Sequence, residues 1–109
     1  MIWTTRYLVL WRRNPVAPWP KDLAESAKLN EMMWAGIDNL LKKGEVKEFG
    51  WFLDGTSGYG IGEGESTTVL RNVSMFMPYI ECEIHEIIPH EKAKETLRTL
   101  RQDLAKTLK

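Results

Sequence analysis

Residues 58–64 read Gly-Tyr-Gly-Ile-Gly-Glu-Gly, so glycine occupies every second position. A repeat of two residues is the period of a β-strand, in which successive side chains point to opposite faces of the sheet. One face of this strand therefore carries no side chains. Because glycine weakens the interior of a strand, a run of it marks a place where another element or a ligand approaches the backbone closely. The stretch predicts a strand beside a tight contact or a cavity.

A second strand is predicted just before the glycine strand. Residues 45–53 alternate, with Phe49 and Trp51 on one face and Val46 on the other. The Asp-Gly pair at 54–55, which separates the two strands, is typical of a hairpin turn. We therefore expect the two strands to pair antiparallel.

Five further elements surround this hairpin. In chain order they are a strand at 3–11, a helix at 22–43 that ends at Gly44, a helix that begins at the N-cap Ser66 and is stopped by Pro78, a strand at 79–88, and a helix that opens at Pro89. Apolar residues at intervals of three and four indicate the helices, and alternation indicates the strands. The proline-rich segment 12–20 is predicted to be a rigid connector that packs Trp19 onto the domain. The narrow apolar stripe of the last helix predicts that it lies on a surface.

The order strand, helix, strand, strand, helix, strand, helix predicts an α+β fold, the ferredoxin-like βαββαβ sandwich with an extra C-terminal helix. We expect one domain, 1–109, with a four-stranded antiparallel sheet and both crossover helices on one face. The strand 3–11 has apolar residues on both faces, so the second face must also be kept from water. A second copy of the chain would cover it, which predicts a homodimer of the dimeric α+β barrel type. The glycine face is expected to leave room in the barrel interior.

The composition argues against several classes of partner. Fifteen basic and fifteen acidic residues cancel, so no overall field attracts nucleic acid or an acidic membrane surface. The basic residues concentrate near the two ends and the acidic ones in the middle, which indicates either ordinary mixed surfaces or a contact between copies. The one cysteine, Cys82, cannot form an internal disulfide, and no apolar run has the length of a membrane span. We expect a cytoplasmic protein.

The chain also resembles a known family. The stretch 55–64, followed by Ser66, Pro78, the acid-rich strand 80–88 and Pro89, is similar to small dimeric α+β barrel proteins. More narrowly, it resembles an uncharacterised muconolactone-isomerase-like group among them. The wider superfamily includes isomerases, cofactor-free monooxygenases, dehydratases and haem-handling enzymes, so the resemblance implies a fold and leaves the chemistry open.

Three ionisable residues share one face of the strand 79–88. Glu81, Glu83 and His85 occupy alternate positions, where an acid, a base and an orienting group could act on one ligand. His85 and Glu83 are the candidate catalytic residues, for moving a proton next to a carbonyl group. The alternative is a solvated strand face whose charges discourage aggregation. Cys82 and His85 point to opposite faces, which argues against a nucleophilic dyad.

The other candidate residues would bind a ligand. They comprise polar side chains that could contact an anionic or aromatic ligand and aromatic ones that could form an apolar wall: Glu81, Arg6, Tyr7, Tyr59, Glu63, Trp11, Trp51 and Phe52. Each aromatic residue could instead fill the core or an interface. No His and Cys spacing matches a metal site, so we expect no metal and no cofactor.

Three functions are compatible with these residues. The first is binding of a small apolar or aromatic carboxylate-type ligand in the barrel interior. The second is catalysis by a muconolactone-type isomerase or a cofactor-free monooxygenase, with His85 and Glu83 moving a proton. The third is a structural or regulatory subunit whose interior is filled.

Overall fold

The predicted ferredoxin-like α+β fold is confirmed. The computed structural model describes residues 4–108. Its elements are β1 (Arg6–Arg13), α1 (Leu23–Lys43), β2 (Val46–Trp51), β3 (Ser57–Glu63), α2 (Ser66–Ser74), β4 (Ile80–Ile87) and α3 (His90–Thr107). The four strands form one antiparallel sheet in the order β2-β3-β1-β4. Each crossover helix therefore joins two strands that have a third strand between them, which is the split βαβ arrangement.

Strand β1 lies in the middle of the sheet. Its residue Trp11 is opposite Gly58 of β3 and opposite Cys82 of β4. The strand continues to Arg13, which pairs with β4, so the prediction of a loop from residue 12 was wrong by two residues. Trp3, the predicted first residue of this strand, lies outside the described residues.

Helix α1 begins and ends close to the predicted positions. Asp22 is the N-cap, and its carboxylate accepts a hydrogen bond of 3.3 Å from the backbone N–H of Glu25. Gly44 ends the helix with a φ of 79°, a left-handed conformation that glycine adopts without strain. The prediction for α2 was wrong by one residue, because Glu65 is its N-cap and Ser66 is already helical.

The helices cover the face of the sheet on which β3 has no side chains. The buried glycines of β3 share this face with Trp11, and a Cβ added at Gly58 would lie 2.5 Å from the Cζ2 atom of Trp11. A Cβ at Gly62 would lie 3.7 Å from Val69 of α2. The expectation that the glycine face looks into a space between two copies was therefore wrong. The missing side chains instead let Trp11 and α2 approach the backbone of β3.

A β-bulge changes which residues of β2 share a face. Val46 pairs with Gly62, whereas Glu48 pairs with Ile61, so β2 has one extra residue between these two pairs. Val46 consequently lies on the helix-covered face with Phe49, although strict alternation predicts the opposite face. A bulge interrupts the two-residue period, and the sequence pattern alone does not reveal it.

The proline-rich connector packs Trp19 against the domain, as predicted. The indole Nε1 of Trp19 donates a hydrogen bond of 2.6 Å to the carbonyl oxygen of Asn14. Its ring lies 5.0 Å from the ring of Tyr79, and the guanidinium of Arg13 lies 4.0 Å above the ring centroid. These contacts hold the connector against the start of β4.

Helix α3 extends away from the sheet. It contains no buried residue, and the leucines Leu97 and Leu100 of its apolar stripe are 54% and 50% exposed. The described chain is consequently elongated, with extents of 70 × 28 × 25 Å. The helix therefore lies outside the core, as its narrow stripe predicts, but it does not pack on the sheet. None of the helices in residues 4–108 has the length and apolarity that a membrane span needs.

Candidate functional site

The predicted site residues divide between the two faces of the sheet. Tyr7, Trp11 and Trp51 lie on the helix-covered face, because each pairs with a glycine of β3. The opposite face, called the open face below, is formed by the even-numbered residues of β1 and the odd-numbered residues of β3 and β4. It carries the remaining predicted residues, which are Arg6, Tyr59, Glu63, Glu81, Glu83, His85 and, just after β2, Phe52. The structure thus contains two separate candidate sites.

The centre of the open face combines apolar residues with the predicted catalytic pair. Leu8 lies opposite both Ile61 and His85 in the sheet. The Nε2 atom of His85 is 3.2 Å from an Oε atom of Glu83, and the two side chains are 56% and 65% exposed. An imidazole and a carboxylate are therefore in contact here, but water reaches both.

Two ion pairs occupy most of the other charged residues of the open face. The Nε atom of Arg6 lies 2.9 Å from Glu63, and that of Arg12 lies 2.8 Å from Glu81. Lys47 is a second, more distant partner of Glu63, at 3.7 Å. Because Arg6, Glu63 and Glu81 are each paired within the chain, they are poorly placed to bind a ligand charge as well.

Tyr59 is also engaged within the chain. Its hydroxyl donates a hydrogen bond to the carboxylate of Glu48, and this bond raises the pKa of Tyr59 above its usual value. The ring stacks on Phe52 with a centroid separation of 6.2 Å. Tyr59 therefore remains protonated near neutral pH, and its O–H group is already engaged in the hydrogen bond to Glu48.

The helix-covered face contains a cavity. It has a volume of about 340 Å³ and lies between the sheet and the helices α1 and α2, with Gly60 and Gly62 of β3 beneath it. Pockets that hold small molecules start at about 300 Å³. The large apolar side chains around it include Trp11, Trp34, Ile37, Phe49, Trp51 and Phe76. Trp11 and Trp51 were predicted to line a ligand site, whereas Tyr7 does not line this one.

Four aromatic residues of the cavity, Trp11, Trp34, Phe49 and Trp51, form a cluster that we call the aromatic corner. Trp11 stacks on Phe49 with their centroids 5.5 Å apart and their planes 4° apart. Trp51 stands at 83° to Trp11, and Trp34 stands at 71° to Trp51. Trp34 and Trp51 are 44% and 50% exposed. Trp11 is thus the fixed inner wall of the cavity, and the other two indoles stand at its opening.

The polar groups at the cavity are few. The indole Nε1 of Trp11 is buried and has no hydrogen-bond partner in the described part of the chain. Asp38 and Glu45 also line the cavity, and an Oε atom of Glu45 accepts a hydrogen bond of 3.4 Å from Asn72. A buried donor without an acceptor is uncommon in folded proteins, so this N–H group is an exception among the buried polar groups of the chain.

Cys82 lines the same cavity from β4. Partial burial raises the pKa of its thiol, because a thiolate would lose hydration there. The thiol is therefore protonated near neutral pH and acts as a small apolar group. Within residues 4–108, no three His, Cys, Asp or Glu side chains are grouped so that they could hold a metal ion.

Sequence reasoning did not identify Trp34 and Phe49 as site residues. Trp34 belongs to the apolar stripe of α1 and Phe49 to the alternation of β2, and both patterns indicate a core position equally well. Only their exposure and their angles to Trp51 and Trp11 distinguish them from core residues. The chain matches no protein-family model and no curated protein, so the function has to be inferred from these two faces.

Proposed function

We propose that the protein binds a small apolar or aromatic molecule in the cavity between its sheet and its helices. The observation that carries this proposal is the half exposure of Trp34 and Trp51 at the opening of the cavity. A ligand that covers these rings removes apolar area from water, which is favourable by about 25 cal/mol per Å². Trp11, held by its stacking on Phe49, provides a wall that already exists before binding.

This location differs from the one that the sequence suggested, which was the interior between two copies. The helix-covered face contains the cavity with its mostly apolar lining, and Gly60 and Gly62 place no side chain in it. The open face has its charged residues paired with one another, as in Arg6 with Glu63. The geometry therefore favours a site built within a single chain.

The proposal includes a homodimer formed through the open face. Leu8, Leu10 and Ile61 occupy the centre of this face, and α1 and α2 both lie on the other side of the sheet. The ion pairs Arg6–Glu63 and Arg12–Glu81 flank the apolar centre at the two ends of β1. Apolar side chains around the contacting pair His85 and Glu83, with an ion pair at each end, are suited to contact with an identical surface. Such a pair of sheets would be the dimeric α+β barrel that the sequence predicts.

Two other expectations from the sequence remain part of this proposal. The kinship with the muconolactone-isomerase-like group is supported by the ferredoxin-like fold, which that group shares. A cytoplasmic location is supported by the cysteine content. Cys82 is the one cysteine of the sequence and has no partner for an internal disulfide.

A second candidate function is proton transfer by His85, as in an isomerase or a cofactor-free monooxygenase. The contact of 3.2 Å between His85 and Glu83 favours it. In an isomerase the neutral imidazole would take a proton from a carbon next to a carbonyl group and return it to another carbon. In a monooxygenase the carbanion left by the same proton abstraction would add dioxygen from solution, and the hydroperoxide formed would lose water to leave a new carbonyl group. In both cases Glu83 would orient the ring and stabilise the imidazolium. This chemistry needs the second copy to exclude water.

The third function is a structural or regulatory subunit with a filled interior. It would need the two open faces of the homodimer to pack together without leaving a cavity between them.

The cavity proposal is tested by titrating the protein with 2-naphthol, a neutral aromatic probe, and following tryptophan fluorescence. Gly62→Leu places a side chain in the cavity, and Leu53→Ala is the control because Leu53 is fully exposed in the hairpin. We expect saturable quenching by wild type and Leu53→Ala, and at least about tenfold weaker binding by Gly62→Leu. Circular dichroism checks that each variant is folded. If Gly62→Leu does not fold, Trp51→Ala is used in its place.

The proposal fails if wild type shows no saturable binding, or if blocking the cavity leaves the affinity unchanged.

The second candidate is tested separately with His85→Ala and Glu83→Gln. Lost turnover of an enolisable substrate with unchanged affinity would support catalysis at the open face. Unchanged turnover in both variants would exclude His85 and Glu83 from the reaction.

A further inference from the structure

Trp34 and Trp51 are the exposed rings of the aromatic corner, whereas Trp11 is 7% exposed and already contacts Phe49 and Trp51 at centroid distances of 5.5 and 4.9 Å. The planes of Trp11 and Trp51 meet at 83°, and those of Trp34 and Trp51 at 71°. A flat ligand stacks on one ring, whereas a group with methyls in several directions contacts two rings that stand nearly at right angles. The face of an indole also carries partial negative charge, and it attracts a cation within about 6 Å of the ring centroid.

The charged side chains that line the cavity are mostly acidic. Asp38 follows Trp34 by four residues on α1, and Glu45 immediately precedes β2. Neither carboxylate takes part in an ion pair with another residue of 4–108. Arg13 is the one base among the described residues that line the cavity, and its guanidinium is stacked on Trp19 at 4.0 Å. Asp38 and Glu45 thus line the cavity without an ion-pair partner among residues 4–108.

We infer that the cavity takes an organic cation whose charge is surrounded by methyl groups, such as a quaternary or methylated ammonium compound. This inference rests on the proposed function, since it concerns the same cavity and adds a positive charge to a ligand whose methyl groups make the apolar contacts. A carboxylate, the class expected from the sequence, would meet Asp38, Glu45 and the negative faces of the indoles. A methylated ammonium group is attracted by all of these, and its methyl groups contact the apolar walls.

Three probes of nearly the same shape separate charge from apolar contact. They are choline, 3,3-dimethylbutan-1-ol, in which carbon replaces the charged nitrogen, and 3,3-dimethylbutanoate, which carries a negative charge. Each is titrated into the full chain and followed by tryptophan fluorescence. We expect choline to bind at least about tenfold more tightly than the alcohol, and the carboxylate to bind more weakly than either.

A pair of variants tests the contribution of the carboxylates. Asp38→Asn removes one charge at the cavity and keeps the size of the side chain, so it should weaken choline binding several-fold and leave binding of the alcohol unchanged. Asp103→Asn makes the same change on α3, away from the cavity, and should alter neither. Equal effects of the two substitutions on choline would mean that only the net charge of the protein matters, and would overturn the inference.

The remaining outcomes distinguish this inference from the proposed function. Equal affinity for choline and the alcohol, or tightest binding of the carboxylate, shows that the cavity binds ligands but overturns the preference for a cation. If none of the three probes saturates and 2-naphthol does not bind either, the proposed function fails together with the inference.

Discussion

Trp11 of β1 pairs with Gly58 on the adjacent strand β3, and a Cβ placed on that glycine would be 2.5 Å from the Cζ2 atom of the indole. No other residue type fits at position 58 while the ring keeps this place. The glycine therefore permits the position of Trp11, which in turn supports the stacked ring of Phe49. The inner wall of the cavity depends on a residue that contributes no side chain to it.

Substitution of Gly58 by alanine should destabilise the protein. The new methyl group would collide with Trp11 and with the backbone of Gly50, and overpacking of this kind costs about 1–3 kcal/mol. Gly62→Ala is the matched control, because its Cβ would lie 3.7 Å from Val69. It should leave stability unchanged or raise it by up to about 1 kcal/mol, since alanine restricts the unfolded chain. Urea unfolding measures the free energy of unfolding of both variants. Similar values for Gly58→Ala and Gly62→Ala would contradict the predicted role of Gly58.

Leu8→Glu should dissociate the proposed homodimer. It places a charge at the centre of the open face, where Leu8 lies between Ile61 and His85. We expect the dimer dissociation constant to rise at least about 100-fold, as measured by multi-angle light scattering over a range of concentrations. Val16→Glu is the control, since Val16 is exposed on the connector. A wild-type protein that stays a single copy at millimolar concentration would contradict the proposed interface.

Leu40 and Leu100 should differ in their contribution to stability. Leu40 of α1 is only 3% exposed, and truncation of a buried leucine to alanine costs about 2–5 kcal/mol. Leu100 lies on α3, half exposed and away from the sheet, so Leu100→Ala should change the free energy of unfolding by less than about 0.5 kcal/mol. Urea unfolding compares them. A large loss in Leu100→Ala would mean that α3 packs on a partner.

Cys82 should make stability fall at alkaline pH. Burial raises the pKa of its thiol in the folded chain above the usual 9.0, so the unfolded chain loses this proton first. The stabilisation is complete below the usual thiol pKa and is lost as pH rises towards the folded value. The free energy of unfolding, measured from pH 7.5 upward, should therefore decline more steeply in wild type than in Cys82→Ala. Identical slopes would show that the thiol is not shielded from water.

The sequence was sufficient for the elements and their order, because their signals are local. The left-handed Gly44 ends α1, and the alternating glycines form β3, as their patterns predict. It was not sufficient to decide which face of the sheet the helices cover. Strand β1 is apolar on both sides, so the choice depends on tertiary packing of Trp11 and Val69 over the glycines.

The candidate site was less predictable than the fold. Alternation correctly separated Cys82 from His85, but it could not locate the bulge that moves Val46 to the helix-covered face. The exposure of Trp34 depends on how far α1 stands from the sheet, which no local pattern encodes. The sequence therefore indicated His85 and Glu83 by their chemistry, whereas the cavity is visible only in three dimensions.

The extension of α3 has a hydrodynamic consequence. The described chain has a radius of gyration of 18.9 Å, whereas a compact chain of this length would have about 13 Å. A particle so drawn out experiences more friction than a sphere of equal mass. One copy of this 12.6 kDa chain should therefore diffuse slowly and elute from a gel-filtration column with the volume of a heavier spherical protein.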